Sequence, residues 1–163
     1  ITNQDIESLR AMSQVAASAQ KQDKKTENEN LELPSIKNIH VLVIDDSIDS
    51  LILTKILLQR LGAVVTTASS SAKALELLDG LKPDVIVCDI GMPEEDGYTF
   101  LKKYHDLEAT KNRRPIPATA LTAYTRDEEK KQAFRVGFQS HLSKPVEEAA
   151  LVKTIFKLSH SEI

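Results

Sequence analysis

Three short apolar runs each end on charged residues, and this coincidence constrains the fold more than any other feature of the chain. Val41-Leu42-Val43-Ile44 stops at Asp45-Asp46, Val85-Ile86-Val87-Cys88 stops at Asp89, and Leu142-Ser143 runs into Lys144-Pro145. Short, continuous, β-branched runs of this kind suit strands buried on both faces of a parallel sheet. In an open α/β sheet the carboxyl ends of such strands share one edge, and ligands bind there. The pattern therefore predicts three carboxylates and one ammonium in a small common crevice.

The rest of the sequence alternates in the way such a sheet requires. Ile39–Ile44 reads as strand one, and Ser47 as the N-cap of a helix through Leu61 with Gly62 as its stop. In that helix Ile48, Leu51, Ile52 and Ile56 are read as an apolar face. Ala63–Thr67 follows as strand two, Ser71–Asp79 as a helix ending at Gly80, and Val85–Cys88 as strand three. The loop Ile90–Gly97 leads into a helix over Tyr98–Leu107, and a basic turn (Lys111–Arg114) precedes strand four, Ile116–Leu121. A helix over Arg126–Val136 closed by Gly137, a short strand over Gln139–Leu142 and a last helix over Glu147–Leu158 complete the pattern. Five strands alternating with five helices imply an α/β fold with a doubly wound, five-stranded parallel sheet.

Composition divides the chain near residue 36. Residues 20–32 are almost entirely polar, which is linker chemistry, while Ile6, Leu9, Met12, Val15 and Ala19 upstream form a thin amphipathic helical pattern. Residues 1–35 thus read as a polar linker with an N-terminal helix, and 36–163 as the domain. The chain opens at Ile1 rather than Met, which we read as a piece of a longer protein. A net charge of −3 offers no bulk attraction to nucleic acid or to an anionic membrane surface. No apolar stretch reaches the ~20 residues needed to span a bilayer, and no signal peptide is visible, so a cytoplasmic setting is expected. One cysteine excludes an internal disulfide framework.

Crowded carboxylates repel one another, so Asp45, Asp46 and Asp89 call for a proton or a hard cation. Oxygen ligands of this kind suit Mg²⁺, and a carboxylate beside Mg²⁺ can attack phosphorus to give an aspartyl phosphate. Lys144 would neutralise charge on the transferred group, and Thr122, at the end of strand four, could donate a hydroxyl hydrogen bond to it. Metal, nucleophile, cation and donor are the parts a phosphoryl transfer needs.

The segments Val41–Ser47, Asp89-Ile90-Gly91-Met92-Pro93 with Asp96-Gly97, Ala120-Leu121-Thr122-Ala123 and Lys144-Pro145 together resemble the receiver domain of two-component response regulators, over roughly residues 37–160. The resemblance implies a flavodoxin-like sheet of order 2-1-3-4-5. It implies that Asp89 takes the phosphoryl group from a phosphohistidine, on a histidine kinase or a histidine phosphotransfer domain. Asp46, Asp89 and the backbone carbonyl of Gly91 would bind Mg²⁺, with Asp45 assisting through water, and Lys144 would contact the phosphoryl group before a cis bond to Pro145. Thr122 falls on the switch hydroxyl. His141 falls where the family usually has Tyr or Phe, and imidazole is smaller and can carry charge. Gly91 and Tyr124 fall on positions that tune phosphoryl lifetime. The wording Asp-Ile-Gly-Met-Pro-Glu-Glu-Asp-Gly-Tyr and Gly-Phe-Gln-Ser-His-Leu-Ser-Lys-Pro looks most like the C-terminal receiver of a hybrid sensor histidine kinase. On that reading no DNA-binding output domain follows, and the N-terminal helix is compatible with a homodimer formed through the parent chain.

Plainer roles cover most of the remaining residues. Cys88 reads as a small apolar filler, Met92-Pro93 as loop-shaping and Arg113-Arg114 as a solvated turn. His40, His105 and His160 do not group as metal ligands, and Asp49 and Asp127 read as helix-start acids. Two other functions compete with the switch module: a Mg²⁺-dependent aspartyl-phosphate phosphohydrolase, and an interaction module with degenerate phosphorylation. The phosphohydrolase pattern, a second acid two residues after the nucleophile, is missing because Gly91 stands there. A flavin-binding module would need a neutral phosphate loop where this chain has Asp-Asp-Ser-Ile-Asp.

Overall fold

The computed structural model describes residues 33–123 and 127–160. The expected N-terminal helix, the linker and Tyr124 fall outside the described residues.

Five strands, β1 (His40–Ile44), β2 (Val64–Ala68), β3 (Val85–Asp89), β4 (Ala118–Thr122) and β5 (Ser140–Ser143), form one parallel sheet in the order β2-β1-β3-β4-β5. Five helices alternate with them: α1 (Ile48–Arg60), α2 (Ser71–Gly80), α3 (Gly97–Thr110), α4 (Asp127–Val136) and α5 (Glu148–Ser159). The doubly wound, flavodoxin-like fold expected from the sequence is the one found.

Alternate residues of the central strands serve opposite faces, as the pleat dictates. Leu42, Ile44, Ile86, Cys88, Ala118 and Ala120 pack into one core with Ala74 and Leu78 of α2, Phe100, Leu101 and Tyr104 of α3, and Ala133 of α4. The Phe100 and Tyr104 rings lie nearly parallel, with centroids 6.2 Å apart. Val41, Val43, Val85 and Val87 point the other way, and the buried Leu51, Leu58, Leu151 and Ile155 of α1 and α5 cover that side. The outer strands β2 and β5 are only partly buried, which is why their sequences are the more polar ones.

Local chemistry fixes where the helices begin. The side chains of Ser47, Ser70 and Asp96 accept hydrogen bonds from the amides of Ser50, Lys73 and Thr99, satisfying N–H groups a helix start leaves open. Asp49 and Asp127 lie in first turns, as expected. Gly62 and Gly137 adopt positive φ and end α1 and α4.

Several expectations shift. β2 and β4 lie one or two residues later than their apolar runs suggested, and β5 runs from Ser140 to Ser143, because parallel pairing with β1, β3 and β4 sets their limits. Gly80 is the last helical residue of α2 rather than a stop beyond it. α3 continues past Leu107 to Thr110, since Glu108, buried on its inner side, finds a cation in Arg113 at 2.9 Å. Of the predicted apolar face of α1 only Leu51 is buried and Ile56 is partly so, while Ile48 and Ile52 are 62% and 44% exposed; Leu58, outside that face, is the other buried residue. Among the described residues no helix is long and apolar enough to cross a membrane.

Phe100 is fully buried at the centre of the larger core. Phe100→Ala should lower stability by about 3–5 kcal/mol, the usual cost of emptying a buried aromatic site. A urea denaturation midpoint that hardly moves would contradict this packing.

Candidate functional site

The register of the sheet assembles the site. Ile44 pairs with Cys88, so Asp45 and Asp89 follow on adjacent strands; Asp89 pairs with Leu121, and Thr122 with Ser143. Lys144 is therefore the first residue beyond β5, and its amide donates to the Thr122 carbonyl at 2.9 Å. The Lys144–Pro145 peptide bond is cis, as expected.

All three acids converge. One carboxylate oxygen from each of Asp45, Asp46 and Asp89 lies within 4.8 Å of the others. Asp45 and Asp89 are buried, whereas Asp46 faces solvent. The Lys144 ammonium reaches between the buried pair, 3.2 Å from Asp89 Oδ1 and 3.4 Å from Asp45 Oδ2. Backbone amides support the same two side chains: Ser47 N–H donates to Asp45 Oδ1 at 2.9 Å and Gly91 N–H to Asp89 Oδ1 at 3.2 Å.

Electrostatics at the site follow from this crowding. Burial raises the Asp45 carboxyl above its ordinary value of 3.8; the Ser47 amide and Lys144 oppose the rise, and the Asp89 charge adds to it. For Lys144 burial works against the charge, but Asp89 and Asp45 outweigh it and leave the ammonium held more firmly than usual. One ammonium facing three carboxylates leaves the cluster short of two positive charges when all are ionised. An all-oxygen donor set with that deficit fits a hard divalent cation such as Mg²⁺.

Thr122 is buried at the end of β4. The ring of His141 on β5 lies half-buried against exposed Phe134 of α4, with centroids 5.7 Å apart. Sequence reasoning gave Phe134 no part; its only signal was a large apolar residue on the polar side of a charged helix. Cys88 behaves as a filler: its thiol is fully buried, and burial, reinforced by the Asp89 charge, keeps it protonated. A cleft of about 420 Å³ opens beside Asp46, between Ser69–Ala72 and Met92–Glu95.

Gly97 is the shaping residue that the motif contained without an assigned role. Its amide donates to the Ile90 carbonyl, and a Cβ there would lie 2.8 Å from the Asp89 carbonyl oxygen and 2.9 Å from the Ile90 side chain. Only glycine lets α3 start so close to the strand that carries Asp89. Gly91 is different, because a Cβ there would meet nothing nearer than Asp89 Oδ1 at 3.9 Å.

Known proteins resemble this chain in sequence and fold. A family profile described as the response regulator receiver domain matches residues 41–156. An uncharacterized 14.6 kDa protein of Leptolyngbya boryana is 35% identical over 123 residues, covering 76% of this chain and 92% of that protein. The hybrid signal transduction histidine kinase D of Dictyostelium discoideum is 34% identical over 141 residues, covering 83% of this chain, which spans only 9% of that kinase. Among solved structures, Vibrio cholerae chemotaxis protein CheY4 is 30% identical with a TM-score of 0.67, covering 74% of this chain and 98% of that one. Two further structures share the fold at lower identity. The receiver domain of sensor histidine kinase PA1611 from Pseudomonas aeruginosa, solved with magnesium in its active-site cleft, has 24% identity and a TM-score of 0.67 over 76% of this chain and 99% of that one. The receiver domain of Saccharomyces cerevisiae Ssk1 bound to the phosphotransfer protein Ypd1 has 22% identity and a TM-score of 0.72 over 77% and 92%.

Because the folded-state pKa of Asp45 is raised, the native state holds its proton more tightly than the unfolded chain, and ionised Asp45 opposes folding at neutral pH. Asp45→Asn should therefore raise the melting temperature at pH 7 without divalent cations. The gain should shrink as pH falls and disappear below about 3.8, where wild-type Asp45 is protonated in both states. Melting curves of both proteins across that range check the sign.

Proposed function

The chain belongs to the response regulator receiver domain family, and on that premise we propose that Asp89 accepts a phosphoryl group from a phosphohistidine. The observation that carries the reading is the meeting of Asp45, Asp46, Asp89 and Lys144 in one crevice. A carboxylate oxygen of Asp89 attacks phosphorus, the phosphorus–nitrogen bond of the donor breaks, and the bonding pair stays on the imidazole. Lys144 meets the charge on the transferred group, and the Thr122 hydroxyl donates a hydrogen bond to it. Asp46, Asp89 and the Gly91 carbonyl would hold Mg²⁺, with Asp45 acting through water. Bound there, the ion would supply the positive charge that the three carboxylates lack.

Family membership supports reading the chain as a two-component signalling module rather than a conventional turnover enzyme. We read residues 36–163 as the receiver and 1–35 as its tether to a hybrid sensor histidine kinase, with homodimer contacts made through that parent chain. Support for a kinase setting comes from the hybrid kinase relative, and support for a phosphotransfer partner from the Ssk1–Ypd1 complex. The ordered magnesium in the PA1611 receiver supports the choice of ion. In the same reading Thr122 draws toward the phosphoryl group and His141 follows, reshaping the face built by α4, β5 and α5.

Intact mass after incubation with acetyl phosphate tests the chemistry directly. One phosphoryl group should add in the presence of Mg²⁺, none with a chelator present, and none in Asp89→Asn, whose fold should persist. Uptake at the same level in Asp89→Asn would overturn the assignment.

A further inference from the structure

The pole of the sheet opposite the acids holds a second concave feature. Where the loops enter β3 and β4, a cavity of about 260 Å³ lies between the carboxyl ends of α2 and α3. Its floor is apolar: Leu78, Leu81, Ile116 and the ring of Tyr104, whose hydroxyl accepts from the Ile116 amide at 2.8 Å. Its rim is basic, made by Lys82, Arg113 and Arg114 around the single acid Glu108.

Sequence reasoning took Arg113-Arg114 for a solvated turn, and Arg113 departs from that. Its guanidinium pairs with buried Glu108 at 2.9 Å, and its amide donates to the Glu108 carbonyl. The Arg113 Nε–H is nevertheless shut off from solvent without an acceptor, a costly state for a donor on a charged group. Neighbouring acids do not relieve it, since Glu108 pairs through Nη2 and Asp79 is held by Lys111 at 2.6 Å. Among the described residues neither Lys82 nor Arg114 makes an ion pair. The cavity thus combines an apolar floor with two unpaired cations at its rim.

We propose that this cavity binds a small amphipathic carboxylate, with its apolar part on Leu78, Leu81 and Ile116 and its carboxylate between Lys82 and Arg114. The volume lies just below the range of drug-sized clefts, which suits an acid of roughly ten non-hydrogen atoms. The site shares no residue with the phosphoryl-transfer crevice and does not depend on that reading.

Phenylacetate is a fitting probe, and phenethylamine is its cationic counterpart of similar shape. Amide chemical shifts of the full chain should move saturably with phenylacetate at Leu81, Lys82, Arg113, Arg114 and Ile116, and not with phenethylamine. Affinity should fall about tenfold in Lys82→Gln/Arg114→Gln, a loss of about 1.4 kcal/mol. Both substituted residues are exposed, so the fold and phosphoryl uptake should be unchanged in that variant. Absence of saturable shifts at these amides up to ~20 mM probe, a binding free energy of only about −2.3 kcal/mol, would overturn the proposal. Equal response to the amine, or undiminished affinity in the double variant, would overturn it as well.

Discussion

Two carboxylates removed from water beside each other destabilise a fold unless a positive charge accompanies them. Asp45 and Asp89 are in that position, and the Lys144 ammonium lies within 3.4 Å of both. Asp45 directly follows the first strand and Asp89 ends the third, while the lysine follows the fifth. The pair can be stabilised only when the whole sheet has formed in register. A slip of one residue would turn each strand's side chains to the opposite face and carry Lys144 away from its partners. Compensation at the crevice and specification of the sheet are therefore one requirement, and the negative charge left over suits a hard cation.

Loop geometry completes that requirement. After Asp89 the chain turns tightly, with Ile90 N–H on the Leu121 carbonyl and both Met92 and Gly97 amides on the Ile90 carbonyl. The turn holds Gly91 against the Asp89 carboxylate and lets α3 begin at once, capped by Asp96. α3 then contributes Phe100, Leu101 and Tyr104 to the larger core. The backbone presenting Asp89 is thereby braced by the same hydrophobic burial that stabilises the domain, and the tolerance at Gly97 is small for that reason.

Most of this could be read from the sequence because burial and chemistry leave distinct marks. Continuous β-branched runs marked the inner strands, and acids at their ends marked the edge. Residues whose roles depend on partners distant in sequence were not legible. Ile48 and Ile52 fit a helical apolar stripe, yet α1 turns them away from the sheet, so periodicity overstated the buried face. Glu108 carries no local mark of burial in the sequence, and its partner Arg113 meets it across the end of α3. Phe134 gained meaning only through its contact with His141 on another element. Gly97 was visible as a motif letter, but the close approach it permits involves the backbone of Asp89, which no local pattern reveals.

Net charge was the least informative quantity, and the two poles of the sheet explain why. Acids crowd the carboxyl edge, whereas Lys82, Arg113 and Arg114 gather at the amino end. β3 spans five residues between them, a rise of roughly 15 Å. That exceeds the Debye length of about 8 Å at physiological ionic strength, so exposed charges at one pole are largely screened from the other. A molecule approaching either end meets the local excess rather than the total of −3. The bulk balance that argues against polyanion binding thus says nothing about a small anion at the basic pole. Nor does it predict the cation demand at the acidic one.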